Sequence, residues 1–128
     1  MTIQALKDRH ENAKFLDIMG DGVRLGEVEQ LVLLAVLRLD GAAYAVPIRD
    51  LILREAEVDL PRGSIYVTLD RLEEKGLVES WFGDPVAEPG GKARRLFRTT
   101  PAGLATLTAT RRALDRLATG TVVARTRS

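Results

Sequence analysis

The residues best equipped for chemistry sit in one stretch, PRGSIYVTLDRLEEKGLVESWF, which runs from Pro61 to Phe82. At the start of its helical pattern it carries Arg62, Gly63, Ser64, Tyr66, Val67 and Arg71, a mixture of cationic, small, hydroxyl-bearing and apolar side chains. That mixture suits the binding of a polyanion. Gly63 and Ser64 let the backbone approach closely, and the N–H groups of a helix start favour a phosphate oxygen. Arg62 adds charge, Tyr66 offers a hydroxyl to phosphate, and Arg71 reaches along a backbone. Val67 has the apolar surface that a thymine methyl takes in a major groove. Arg62 and Arg71 read equally as solvated cations, and Tyr66 as a tyrosine at the rim of a helical core. A second cationic group follows in KARRLFR (92–98), which holds Lys92, Arg94 and Arg95.

Other chemistry lacks its residues. The 128-residue chain has no cysteine and one histidine, His10, which reads as an exposed residue. This excludes disulfides, thiol nucleophiles and His or Cys metal clusters. No Ser-His-Asp, HExxH, P-loop or GxGxxG arrangement is present, and EPGG and GDG read as turns. The sequence therefore predicts neither an enzyme nor a cofactor. The N-terminus has no apolar core of a leader, and no segment approaches the ~20 apolar residues of a membrane span. A cytoplasmic protein without a membrane partner is the expectation.

The net charge of +1 conceals an asymmetry. Residues 1–60 carry seven Lys or Arg against eleven Asp or Glu; residues 61–128 carry twelve against seven. Between Pro89 and Leu114 there are six basic residues and no acidic one. That local field attracts a polyanion more than the net charge does.

The elements that must position these residues follow from periodicity and punctuation. Ile3, Leu6, Ala13 and Leu16 fit one face of a short amphipathic helix that ends at the GDG of 20–22. GEVEQLVLLAVLRLDG (26–41) predicts a core helix whose apolar face holds Val28, Leu31, Leu34, Ala35 and Leu37. YAVPIRDLILREAEV (44–58) predicts a second helix, with Pro47 in its first turn and Ile48, Leu51, Ile52 and Ala56 on one face. In the third, Ile65, Leu69 and Leu72 form the inward stripe and Gly76 ends it. Asp70, on the opposite face, must pair with a neighbouring base or lie away from phosphate. LVESWFG (77–83) then alternates as a strand, with Trp81 packing at its root, and DPVAEPGG (84–91) is a turn-rich, mobile tip. KARRLFR is the return strand. Thr100 and Pro101 cap and open a last helix over about 101–119, with Leu104, Leu107, Leu114 and Leu117 in a narrow seam.

Three helices, a strand, a basic loop, a strand and a helix are the order of a winged helix-turn-helix. The fold class expected is mainly α with a small β-hairpin. It comprises an N-terminal helical extension (1–25), a winged helix-turn-helix (26–99) and a C-terminal helix and tail (100–128). The third helix would enter a major groove by its N-terminal end, and the hairpin tip would lie along the backbone or an adjacent minor groove.

With those motifs assembled, the chain resembles the PadR family of bacterial transcriptional regulators. The resemblance rests on LVLLAVLRLDGAAYAVPIRDLI, on RGSIYVTLDRLEEKGLVES and on GGKARRLFRTTPAGLATL, and spans about residues 26–118. Its most specific parts are Gly63-Ser64-Ile65-Tyr66 and the wing ending Phe97-Arg98-Thr99-Thr100-Pro101-Ala102-Gly103. Ala45 and Val67 stand where the family often has Gly and Pro, and Phe97 replaces a usual tyrosine. The resemblance implies a homodimeric, repressor-type regulator on a palindromic operator of double-stranded DNA. It adds Tyr44, the tyrosine opening the second helix, to the DNA-facing residues. It makes the C-terminal helix, with Leu104, Leu107, Leu114 and Leu117, the dimerisation element, joined by the N-terminal helix, in the family's smaller subgroup. Some members take a small hydrophobic effector between protomers. The competing expectation is a winged-helix module for protein assembly, which would have no need of the acid-free basic run.

Overall fold

The computed structural model describes residues 25–85 and 93–125. The expected N-terminal helix (Thr2–Met19), the hairpin tip and Lys92 lie outside the described residues. The chain divides into one unit of Glu27–Leu104 and another of Met1–Gly26 with Ala105–Ser128.

In the first unit, α1 is Glu27–Leu39, α2 Ala45–Ala56 and α3 Arg62–Glu74. The centre of α1 reads LVLLAVL, apolar on every side, so its period of 3.6 residues picks out no single face. The buried residues are Glu29, Val32, Leu33, Ala35 and Val36. The expected face was therefore misassigned: Leu34 and Leu37 are exposed, and Val28 and Leu31 are half-buried. Packing partners choose the face here, since α2, α3 and the second strand of the hairpin all pack on α1. Leu31 and Leu34, with Leu51 and Ile52 of α2, line an open groove of about 160 Å³. An Arg38–Glu55 ion pair at 2.9 Å stands beside it.

α2 and α3 follow their patterns more closely. Ile48, Leu51 and Ile52 are buried, while Ala56 at the helix end is exposed. Ile65, Leu69 and Leu72 are completely buried. A part-buried ion pair from Lys75 to Glu29, at 3.0 Å, ties the end of α3 to the start of α1.

α3 ends in a Schellman motif. Gly76, at φ +75°, donates its N–H to the Glu73 carbonyl at 2.9 Å, and Leu77 donates to the Leu72 carbonyl at 2.9 Å. The positive φ is the reason for glycine at this turn. Leu72 and Leu77, both buried, supply the apolar contact that accompanies the motif.

The chain leaves this turn as β1 (Val78–Pro85) and returns antiparallel as β2 (Ala93–Thr99). Pairing is regular from Val78↔Thr99 to Phe82↔Arg95 and irregular between Phe82 and Pro85. On its other edge β2 is joined by the segment before α2, through the Phe97 N–H to the Ala43 carbonyl at 2.8 Å. Phe97 is completely buried, so the aromatic of the wing is a core anchor.

An ionic cluster fastens the hairpin to α3. Arg95 Nη2 lies 2.5 Å from Glu73 Oε1, and Nη1 lies 3.0 Å from Asp70 Oδ1. The Ser80 hydroxyl donates to Glu73 Oε2 at 2.6 Å and accepts from Arg95 Nε at 3.3 Å. The guanidinium lies over the Phe97 ring, 4.9 Å from its centroid. The Ser80 hydrogen bond, with the hydrogen bond and charge of Arg95, holds Glu73 below the usual 4.5 against the opposing effect of burial. Burial disfavours the Arg95 charge, but Asp70 and Glu73 outweigh it and raise the guanidinium pKa.

α4 (Pro101–Ala118) starts where the wing ends. The Thr100 hydroxyl accepts the Gly103 N–H at 3.0 Å as an N-cap and donates to the Gly76 carbonyl at 2.6 Å. The Thr100 N–H binds the Leu77 carbonyl at 3.0 Å. A Cβ on Gly103 would lie 2.0 Å from that same oxygen, so only glycine lets α4 start this close to the Leu77 turn.

In the second unit, α4 continues and is followed by a short α5 (Val122–Arg125). Its leucine seam is not uniform. Leu107 is 2% exposed, whereas Leu114 and Leu117 are 54% and 81% exposed. Leu107 and Leu114 share a helix face but stand about 10 Å apart along it. Leu107 is therefore buried within the single chain, which corrects its place in an intermolecular seam. Leu104, at the end of the first unit, is exposed.

Two outcomes are expected. Gly103→Ala should lower unfolding free energy by about 2 kcal/mol or more in denaturant melts, because the added methyl meets backbone. Glu73, with its lowered native pKa, contributes stability that is present above its unfolded-state value and lost as pH falls through the native one. Wild-type stability should thus decline more steeply than that of Glu73→Gln as pH falls below about 4.5; parallel declines would show that the carboxylate contributes nothing.

Candidate nucleic-acid interface

α3 turns its Ile65/Leu69/Leu72 stripe to the core, which leaves the other face outward. Arg62, Gly63, Tyr66, Val67, Asp70 and Arg71 are exposed there, and Ser64 is half-buried. Tyr66 is 43% exposed and so is not a core residue. The N-cap of α3 is Pro61, which makes no side-chain capping bond. The first helical bonds run from the Ser64 and Ile65 N–H groups to the Pro61 carbonyl. The Arg62 and Gly63 N–H groups thus belong to the unsatisfied first turn, which carries the positive end of the helix dipole. A Cβ on Gly63 would meet nothing within 4 Å, so no neighbour in the chain requires this glycine.

α2 starts in the same manner. Its N-cap, Tyr44, makes no side-chain capping bond. Arg94 of β2 stacks on the Tyr44 ring, 4.7 Å from the centroid. This holds a wing cation beside an uncapped helix start, an arrangement suited to a phosphate. Tyr44 and Arg94 are thus brought together.

Arg95 is placed otherwise than expected. It points not to the hairpin tip but back to α3, in the cluster with Asp70, Glu73 and Ser80. Its charge is balanced by two carboxylates before any ligand arrives. Asp70 finds the basic partner that its position demanded. Ser80 and Glu73 were not singled out by sequence, since their meeting depends on the strand register. Trp81 is 37% exposed, with Arg98 over its ring at 5.3 Å, so it is a half-exposed platform and not a packed wing root. Arg98 also pairs with Glu79 across the hairpin. Phe82, on the Ser80 side of β1, is 70% exposed.

The geometry supports recognition more than reaction. Two uncapped helix starts, an exposed mixed face on α3 and a cationic wing can grip a phosphate backbone and reach base edges. Among the described residues no group of three or more His, Cys, Asp or Glu side chains could hold a metal ion. Among them, too, no helix is long and apolar enough to cross a membrane.

Comparison with known proteins agrees with this geometry. The profile of the transcriptional regulator PadR-like family matches residues 33–109. The transcriptional regulator Rv3488 of Mycobacterium tuberculosis is 52% identical over 56 residues. That match covers 44% of this chain and 49% of the relative, about half its length. A PadR-like transcription factor from Bacteroides fragilis superposes with a TM-score of 0.61 at 26% identity, over 73% of this chain and 85% of that one. A PadR family transcriptional regulator from Eggerthella lenta gives the same TM-score at 21% identity over 98% and 99%, which speaks for the fold alone. The chain belongs to the PadR-like family of transcriptional regulators and has the winged-helix fold of its structural relatives.

Proposed function

We propose that the chain is a repressor that binds a palindromic operator as a homodimer, each protomer placing the start of α3 in a major groove. The observation that carries this reading is the uncapped start of α3, whose Gly63 no neighbour in the chain requires. In this reading Arg62, Gly63 and Ser64 meet phosphate through backbone and side chain. Tyr66, Val67 and Arg71 face the groove, and Tyr44, Arg94 and Lys92 grip the flanking backbone. The exposed leucines of α4, Leu104, Leu114 and Leu117, support the dimer, because side chains this apolar are costly to leave in water. A twofold dimer then asks for a twofold operator. A small hydrophobic effector between protomers would use the same apolar surface.

Operator affinity should fall steeply with salt, with log K dropping by about 0.9 per phosphate contact per unit log salt. A flat dependence would favour the assembly-module reading. Gly63→Ala should leave stability unchanged or raised by up to about 1 kcal/mol, as alanine does in a helix, yet weaken operator binding about tenfold. Unchanged binding would remove α3's start from the interface. Leu114→Asp with Leu117→Asp should give monomers by sedimentation without loss of fold; a persistent dimer would place the interface elsewhere.

A further inference from the structure

We propose that two acids on the DNA-facing helix, Glu73 and Asp70, strengthen DNA binding as positioning residues, by fixing the wing against α3 through Arg95. The inference rests on the DNA-binding reading and extends it to residues whose charge would ordinarily repel phosphate.

Simple electrostatics argues the other way: a carboxylate facing a phosphate backbone costs affinity. Asp70 lies on the outward face of α3, three residues from Val67 and four from Tyr66, with its side chain more than half exposed. Glu73 lies one turn further on, a third exposed. Both are answered by one guanidinium, which approaches from β2 and touches both carboxylates at once. Ser80 on β1 closes the cluster, bonding Glu73 and Arg95 together. α3, β1 and β2 therefore meet in four polar contacts.

Arg95 is also constrained from beneath. It lies over the buried Phe97 ring, two residues along the same strand and on the same face. A fork-shaped cation held at one face by an aromatic ring and at its edges by two acids has little freedom left. Phe82, its cross-strand partner, marks the last regular pair before the hairpin loses its register. The clamp thus sits where the regular ladder stops, and it sets the direction in which the wing leaves α3. A two-stranded hairpin alone is marginally stable, so a lateral anchor on the helix bears directly on its orientation. DNA offers its major groove and flanking backbone at a fixed spacing. A wing held at one angle meets that spacing at no further ordering cost, whereas a loose wing must be ordered on binding.

The test uses a duplex selected from a random pool by the wild-type protein, with binding measured across a salt series. Glu73→Gln, which removes a negative charge, should weaken binding about tenfold, and Arg95→Ala should do so to a similar extent. Both should lower the salt slope by the same amount, that of the wing's phosphate contacts, and the double variant should bind no worse than either single, because both break one unit. Hydroxyl-radical footprints of Glu73→Gln should keep the protection due to α3 and lose that due to the wing. Tighter or unchanged binding by Glu73→Gln would overturn the proposal. So would a fall of about 0.9 in the slope for Arg95→Ala with none for Glu73→Gln, since Arg95 would then be a phosphate contact in its own right. Thermal melts control for folding; if Glu73→Gln fails to fold, Ser80→Ala, which removes only the bridging hydroxyl, should show a smaller loss of the same kind, and wild-type affinity in it would overturn the proposal. A wild-type protein that selects no sequence and has a flat salt dependence refutes the DNA-binding reading itself, a result distinct from a steep wild-type slope with unaffected variants.

Discussion

The backbone of Leu77 carries an unusual share of this fold. Its N–H closes α3 on the Leu72 carbonyl, and its carbonyl accepts the Thr100 N–H that starts α4. The same carbonyl would lie 2.0 Å from any Cβ at position 103. One turn thus ends α3, roots the first wing strand and receives the start of α4. Each of these demands a particular residue: Gly76 for its positive φ, Thr100 for its two-way hydroxyl, Gly103 for its missing side chain. Two stretches of the resemblance to PadR-like regulators, Gly76-Leu77-Val78 at the end of α3 and Thr100-Pro101-Ala102-Gly103 after the wing, are the two sides of this junction. What resembles a functional signature at these positions is a packing requirement.

The starts of α2 and α3 obey different rules. Gly63, unlike Gly103, has open space around it, and the starts of α2 and α3 lack side-chain caps. A helix that forgoes a cap gives up about 1 kcal/mol, a cost consistent with N–H groups kept for an external acceptor. Charge is distributed in the same sense. The wing cations divide into Arg94, held on Tyr44 beside a helix start, and Arg95, held by the acids of α3. One cation stacks on a tyrosine and the other is bound by two carboxylates, although they are adjacent in sequence.

That division explains what could be read in advance. α3, the hairpin and the start of α4 were legible because each has local punctuation, a glycine at the helix end or a Thr-Pro at its start. The outward face of α3 was legible because Ile65, Leu69 and Leu72 leave one arrangement for the remainder. The buried face of α1 was not, since LVLLAVL offers every face and only α2, α3 and β2, which pack on it, decide among them. Neither was the role of Arg95. Alternation puts Arg94 and Arg95 on opposite sides of β2, but which side meets α3 depends on the Phe82↔Arg95 register and on the burial of Phe97. Leu107 looked like Leu114 because helical spacing is blind to where a covering surface stops.

The central claim is that DNA meets the chain at two uncapped helix starts and the wing between them. Amide chemical-shift mapping during titration with an operator duplex tests it most directly. The account predicts the largest shifts at the Arg62 and Gly63 amides, with accompanying shifts at Ala45 and Arg94. The groove lined by Leu31 and Leu34 should stay silent. Shifts confined to that groove or to α4, with the Arg62 and Gly63 amides unmoved, would contradict it.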